Sequence, residues 1–112
     1  MFASRGELQR RFVEIDGIRT HYLVVGDGRP VVMLHGNGES VADWSRTLPH
    51  PASGLRVYAI DLPGAGDSDK PMFDYSAEGL ADFVTRFLDA LVIERPALVG
   101  HSLGGLVALI IA

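Results

Sequence analysis

Gly100-His101-Ser102-Leu103-Gly104 is the stretch that decides the reading of this chain. Its lead-in, Ala97-Leu98-Val99, is apolar throughout like a buried strand, and Leu103 opens an apolar run to Ala112 that reads as a helix. A serine at a strand–helix junction is placed for chemistry. A hydroxyl is a poor nucleophile and needs a base to take its proton. It also needs donors aimed at the oxyanion that forms when it attacks a carbonyl. A sharp turn projects the serine from the sheet, and the helix N-terminus directs N–H groups and positive partial charge at the developing anion. Gly100 and Gly104 flank a turn with no room for side chains, and Gly105 is expected to let the helix approach closer still. G-x-S-x-G alone arises by chance often enough that the strand–helix context has to carry the assignment. The competing role for Ser102 is that of a plain helix N-cap. His101 neighbours the serine in sequence, and its side chain is expected to point away in a structural role.

A second loop leads to the same place. His35-Gly36-Asn37-Gly38 follows the apolar strand Val31-Val32-Met33-Leu34. Loops at the carboxyl ends of parallel strands are where α/β folds bind ligands, and glycines let the backbone come close to a substrate. The Asn37 N–H is expected to join the Leu103 N–H as an oxyanion donor; the alternative is a Gly-rich turn with no ligand. His35 is expected to brace this loop by hydrogen bonding rather than act as a base. Asp61-Leu62-Pro63-Gly64-Ala65-Gly66-Asp67-Ser68 follows the next strand in the same way. Its carboxylates suggest a metal or a triad acid, but no His/Glu cluster accompanies them in sequence and Pro-Gly-x-Gly is turn chemistry, so a structural role is expected. No metal and no cofactor are expected. Neither G-x-G-x-x-G nor G-x-x-x-x-G-K-[ST] is present, which removes the dinucleotide and P-loop readings. His21, within a strand, and His50, between prolines, are read as structural.

The rest of the chain supplies the scaffold. Phe12, Val13 and Ile15 end at Asp16-Gly17, a hairpin signal, and Ile18 to Val25 resumes as a strand. Gly26-Asp27-Gly28-Arg29-Pro30 turns the chain into Val31–Leu34, which with Arg56–Ile60 and Ala97–Val99 is expected to be covered on both faces. Ser76 can cap a helix in which Leu80, Phe83, Val84, Phe87, Leu88 and Leu91 recur at helical spacing, with Pro96 as its far boundary. A weaker helix is expected from Val41 to Leu48, ended by Pro49 and Pro51. The helix from Leu103, apolar on all sides, should be buried centrally. The fold class is α/β: a mostly parallel sheet opened by an antiparallel hairpin, in one domain over residues 1–112. That domain is expected to be incomplete, because the last helix stops at Ala112 without a cap or closing glycine.

Composition excludes several classes. A 47% hydrophobic content suffices for a core, and a net charge of −4 without a basic cluster argues against nucleic-acid or anionic-membrane partners. The absence of cysteine removes disulfide, thiolate and Cys-based zinc chemistry. The N-terminus lacks the apolar region of a signal peptide, and the longest apolar tract, Leu106 to Ala112, falls far short of the ~20 residues that span a bilayer. A cytoplasmic location is expected.

The three motifs in this order resemble the α/β-hydrolase fold family, in its branch of serine esterases, carbon–carbon bond hydrolases and aminopeptidase-like enzymes. They are His35-Gly36-Asn37-Gly38, Asp61 to Ser68, and Gly100-His101-Ser102-Leu103-Gly104-Gly105; Asp16-Gly17-Ile18-Arg19-Thr20-His21-Tyr22 is similar to the family's opening hairpin. The resemblance runs from about Val13 to Ala112. It implies that Ser102 is the nucleophile, that Asn37 and Leu103 supply the oxyanion N–H groups, and that His35, Gly36, Gly38, Gly100 and Gly104 support them. It further implies a small-molecule acyl substrate (an ester, amide or activated carbon–carbon bond) cleaved through an acyl-enzyme. Serine at 102 separates the chain from branches with an aspartate nucleophile, such as haloalkane dehalogenases and epoxide hydrolases. Ala65 stands where relatives often carry a bulkier residue. The family places its acid and its histidine after later strands, and many members have a cap domain there. This chain is therefore expected to be inactive alone and to self-associate through an exposed sheet edge. A cofactor-free haloperoxidase or acyltransferase on the same scaffold, or a non-catalytic ligand sensor, is the alternative.

Overall fold

Asp16 and Gly17 both take positive φ, 48° and 82°, the pattern of a two-residue type I′ hairpin turn. They join β1 (Gln9–Ile15) to β2 (Ile18–Gly26) in antiparallel register, with Ile15 opposite Ile18. The computed structural model describes residues 7–44, 48 and 54–112, so His50, Pro49 and Pro51 lie outside the described residues. Within them follow β3 (Arg29–Leu34), β4 (Leu55–Ile60), α1 (Ala77–Ala90), β5 (Ala97–Gly100) and α2 (Leu103–Ile111). The sheet runs β1-β2-β4-β3-β5, antiparallel from β1 to β4 and parallel from β4 to β5. The antiparallel opening is as expected, but the sheet is mixed rather than mostly parallel: β2 also pairs antiparallel with β4, so two of the four pairings are parallel.

The strand order places the site. From β3 the chain moves one way to β4, then crosses back over β3 to lay down β5 on its far side. The two crossovers lie on opposite faces. Val32, Leu34 and Ile60 pack with Leu80, Phe83, Val84 and Phe87 of α1, while Val57, Ala59, Val31 and Met33 pack with Val41, Trp44 and Leu48. The direction of winding therefore reverses between β3 and β5, and the crevice outside their carboxyl ends is where open α/β sheets take ligands. Strand β2 serves both faces: Tyr22 and Val24 face α1, and Leu23 and Val25 the opposite side. Tyr22 meets Phe87 edge-on, ring centroids 5.3 Å apart. Burying side chains of this size contributes about 2–3 kcal/mol each.

Helix α1 begins as expected, with the Ser76 hydroxyl accepting from the Gly79 N–H at 3.1 Å. Its end departs from expectation: Pro96 does not terminate it. The Ile93 N–H reaches the Leu88 carbonyl at 2.8 Å and the Val92 N–H the Asp89 carbonyl at 3.2 Å, a Schellman motif that ends the helix earlier. The residue at its left-handed position is Val92, at φ 54°, where glycine is usual. Further expectations are corrected. Of the span Val41–Leu48, Val41–Asp43 forms a single 3-10 turn, and residues 45–47 lie outside the described set. Strand β5 is not covered on both faces, since Ala97, Val99 and Gly100 are exposed at the sheet's edge. Nor is α2 buried all round: Gly104 and Val107 are buried but Leu106, Leu109 and Ile110 are exposed. It packs against α1 and β5 with one side only. Among the described residues no helix is long and apolar enough to cross a membrane.

Val92 is 76% exposed, so its side chain contributes little packing while its backbone bears left-handed strain of about 1–2 kcal/mol. Val92→Gly should raise unfolding free energy by about 1 kcal/mol in denaturant titration, allowing for the greater freedom of glycine in the unfolded chain.

Candidate active site

Ser102 has φ 56° and ψ −117°, a conformation that costs a non-glycine residue about 1–3 kcal/mol. An ordinary N-cap serine is extended and bonds the first turn of its helix. Ser102 does neither; its side chain makes no capping hydrogen bond, and the residue is exposed. Crowding on either side explains the flanking glycines. A Cβ on Gly100 would overlap the Gly104 carbonyl, and a Cβ on Gly104 would overlap the Leu34 carbonyl at the end of β3. Gly105 is different from expectation, because a Cβ there would come no nearer than 3.4 Å to the Gly100 carbonyl. The approach of α2 does not depend on it.

The loop after β3 lies directly beside the elbow. A Cβ on Gly36 would stand 3.2 Å from Ser102 Cβ. Gly36-Asn37-Gly38-Glu39 forms a β-turn closed by the Glu39 N–H on the Gly36 carbonyl at 3.1 Å, with Gly38 at φ 77° as a type II turn requires. The Asn37 N–H is not consumed by that turn. Leu103 is the first residue of α2, so its N–H has no intrahelical acceptor. Asn37 and Leu103 both line a cleft of about 470 Å³, together with Gly36, Leu62, Ala65 and Tyr75. Ser102 itself does not line the cleft, but its neighbour Leu103 and the adjacent Gly36 do.

His35 is buried and clamps the loop. Its Nδ1 donates to the Gly36 carbonyl at 2.8 Å, and its Nε2 accepts from the Leu62 N–H at 3.1 Å. The ring thus joins the loop after β3 to the loop after β4. His101 is exposed and does not line the cleft. Its Nδ1 donates to Glu39 Oε1 at 2.9 Å, from the elbow to the turn after β3. The same oxygen accepts the Gly36 N–H at 2.7 Å. The His101 bond first, then the Gly36 N–H, holds the Glu39 carboxyl below its ordinary 4.5. Those bonds are in place above that value and lost only as pH falls through the lowered one. Sequence reading passed over Glu39; its place closing a Gly-x-Gly turn is the local signal that could have marked it.

The loop after β4 also has a partner the sequence did not show. Asp61 is buried, and its carboxylate accepts from His21 Nδ1 at 2.8 Å, the Val41 N–H at 2.8 Å and the Asp67 N–H at 3.0 Å. One histidine, His21, therefore does accompany these carboxylates, though no glutamate joins it among the described residues. The antiparallel pairing of β2 with β4 brings His21 beside Asp61, and the Asp61 N–H bonds the His21 carbonyl at 2.9 Å. His21, Asp61 and Asp67 cluster closely enough to suggest a cation site. Their atoms are already bonded by donors, however: Arg10 takes His21 Nε2 at 3.2 Å and Asp67 Oδ2 at 2.7 Å. A guanidinium occupies the position a cation would need.

Residues 29–112 match the family profile of the alpha/beta hydrolase fold. The chain belongs to that family. It is 36% identical over 102 residues to the soluble epoxide hydrolase of Corynebacterium sp. strain C12, covering 91% of this chain and 36% of that protein. It is 41% identical over 100 residues to the 2-hydroxymuconate semialdehyde hydrolase of Pseudomonas sp. strain CF600, covering 86% and 35%. Among solved structures, Cfl2 of Burkholderia cenocepacia superposes with a TM-score of 0.87 at 38% identity, covering 94% of this chain and 36% of that one. The chain thus spans about a third of the length of these relatives.

Two stability outcomes follow from this geometry. Ser102→Gly should stabilise the fold by about 1 kcal/mol by relieving the backbone, whereas Ser102→Ala, which keeps a Cβ, should leave stability nearly unchanged. Asp61→Ala strands a buried N–H, a part-buried N–H and a buried histidine, and should cost about 3 kcal/mol in equilibrium unfolding.

Proposed function

We propose that Ser102 is the nucleophile of a serine hydrolase acting on a small-molecule ester, amide or activated carbon–carbon bond. One observation carries the reading: a serine held in a strained turn, its hydroxyl withheld from capping, next to the Leu103 amide and against Gly36 of the loop that carries the Asn37 amide, neither amide having an acceptor among the described residues. The hydroxyl attacks the substrate carbonyl, the Asn37 and Leu103 N–H groups receive the developing oxyanion, and the acyl-enzyme is released to water. The 2-hydroxymuconate semialdehyde hydrolase likeness fits carbon–carbon bond cleavage by the same attack. The epoxide hydrolase likeness fits the scaffold rather than the chemistry, because the nucleophile position here is a serine.

The base is not among the histidines buried behind the loops. His21 has both ring nitrogens engaged, by Asp61 and Arg10, and His35 both, by Gly36 and Leu62. We infer that the base and its acid partner lie in the length of the relatives that this chain does not span. The test is made on the full polypeptide carrying this segment, with a fluorophosphonate probe and a p-nitrophenyl ester. Label should appear on Ser102, and Ser102→Ala should abolish it and lower kcat by at least about a thousandfold. Equal labelling and turnover in Ser102→Ala would remove the reading. Ester turnover that needs a non-water acceptor would point to an acyltransferase instead.

A further inference from the structure

The oxyanion loop and the elbow come from distant parts of the chain, yet the loop must hold its Asn37 amide to within a fraction of an ångström of the oxyanion to stabilise it. Gly36 is the contact residue, and glycine offers no side chain to fix the approach. Glu39 supplies what Gly36 lacks. Its Oε1 takes the Gly36 N–H at 2.7 Å and His101 Nδ1 at 2.9 Å, while its own N–H closes the turn on the Gly36 carbonyl at 3.1 Å. One carboxylate oxygen therefore joins the loop to the residue immediately before the serine. Glu39 is half-buried and His101 largely exposed, with side chains 33% and 64% accessible, so this bridge serves the site's rim rather than the core.

We propose that Glu39 is a positioning residue that locks the oxyanion loop to the nucleophile elbow, with His101 as its second anchor. The inference rests on the serine-hydrolase reading. The Glu39 carboxylate holds the N–H of the His35–Gly36 peptide, while its backbone N–H and His35 Nδ1 hold the carbonyl of the next peptide, the one that carries the Asn37 N–H. Without the bridge the turn keeps its backbone bond and its tie to His35 but loses its side-chain tie to the residue before the serine, and the whole turn, with the Asn37 amide, can shift against the elbow. That loss falls on the transition state, where charge is on the oxygen, and hardly on ground-state binding. The lowered pKa of Glu39 keeps the bridge formed across neutral pH.

The test uses steady-state turnover of a p-nitrophenyl ester by the full polypeptide. Glu39→Ala should lower kcat by about ten- to a hundredfold, short of the loss of a whole oxyanion donor, with KM within about twofold. Glu39→Gln keeps one terminal oxygen that can accept both the Gly36 N–H and His101 Nδ1–H, and should recover kcat to within about fivefold of wild type. His101→Ala should fall between the two. The double variant Glu39→Ala/His101→Ala should be no worse than Glu39→Ala alone, since both bonds end on one oxygen. Unchanged kcat in Glu39→Ala overturns the proposal, as does a change confined to KM or a Glu39→Gln no better than alanine. Should Glu39→Ala fail to fold, His101→Ala decides alone, its side chain lying outside the core; wild-type kcat in that variant overturns the proposal. A wild type without Ser102-dependent turnover brings down the hydrolase reading and this inference together. An active wild type matched by Glu39→Ala brings down this one only.

Discussion

The site depends on backbone meeting backbone where β3 ends and α2 begins. The Leu34 carbonyl accepts the His101 N–H at 3.1 Å, extending the β3–β5 ladder one step past Gly100. A Cβ on Gly104 would overlap that same carbonyl. The helix can therefore start only where a glycine lets it press on the strand, and its first amides then face the crevice between β3 and β5. Any larger residue at 104 would push the helix out and carry the Leu103 amide and the serine away from the loop after β3. The strain at Ser102 is the local cost of this close approach, sustained by the core that Val107 shares with Leu34 and Val84.

Behind that contact the loop is held at both ends. Near its start, Gly36 is engaged by the His35 ring and by Glu39. At its far end, the Val41 N–H is held by buried Asp61. Between the two clamps only Asn37 and Gly38 are fully exposed, so the freedom of the loop is confined to the peptides that face the cleft. Asp61 and His35 also tie the loop after β3, the loop after β4 and strand β2 into one unit. His35 bonds Leu62, and Asp61 bonds His21 in β2 and Asp67 in its own loop. A buried carboxylate with three donors resists displacement because each bond lost would leave a polar group unpaired in the interior.

Local chemistry was legible in the sequence, and long-range pairing was not. Asp16-Gly17, the Ser76 cap, the apolar strands and the elbow all depend on residues within a turn or two of one another, and they stand where pattern put them. The helix end was missed because Val92 holds the left-handed position in which glycine is the signal. The Glu39–His101 bond spans 62 residues and the His21–Asp61 bond 40. Both exist only once the strand order and the β2–β4 register are known. The exposure of Leu106, Leu109 and Ile110 escaped for another reason: an apolar helix declares its composition but not what covers it. Gly105 was over-read, since adjacency to Gly104 in sequence is not adjacency to the carbonyl that Gly104 meets.

The position of the chain's one tryptophan has an optical consequence. Trp44 lies with His35, Glu39 and His101 around a small cavity of about 220 Å³ behind the loop, and its indole N–H is buried without a partner among the described residues. An indole in that setting is sensitive to the polarity and charge of a few side chains, all of them attached to the loop after β3 or the elbow. Its emission wavelength and quenching therefore form a built-in reporter of how tightly those two segments are joined. Within these 112 residues no other indole competes with it, so the signal reads one place in the molecule, in solution and without a label.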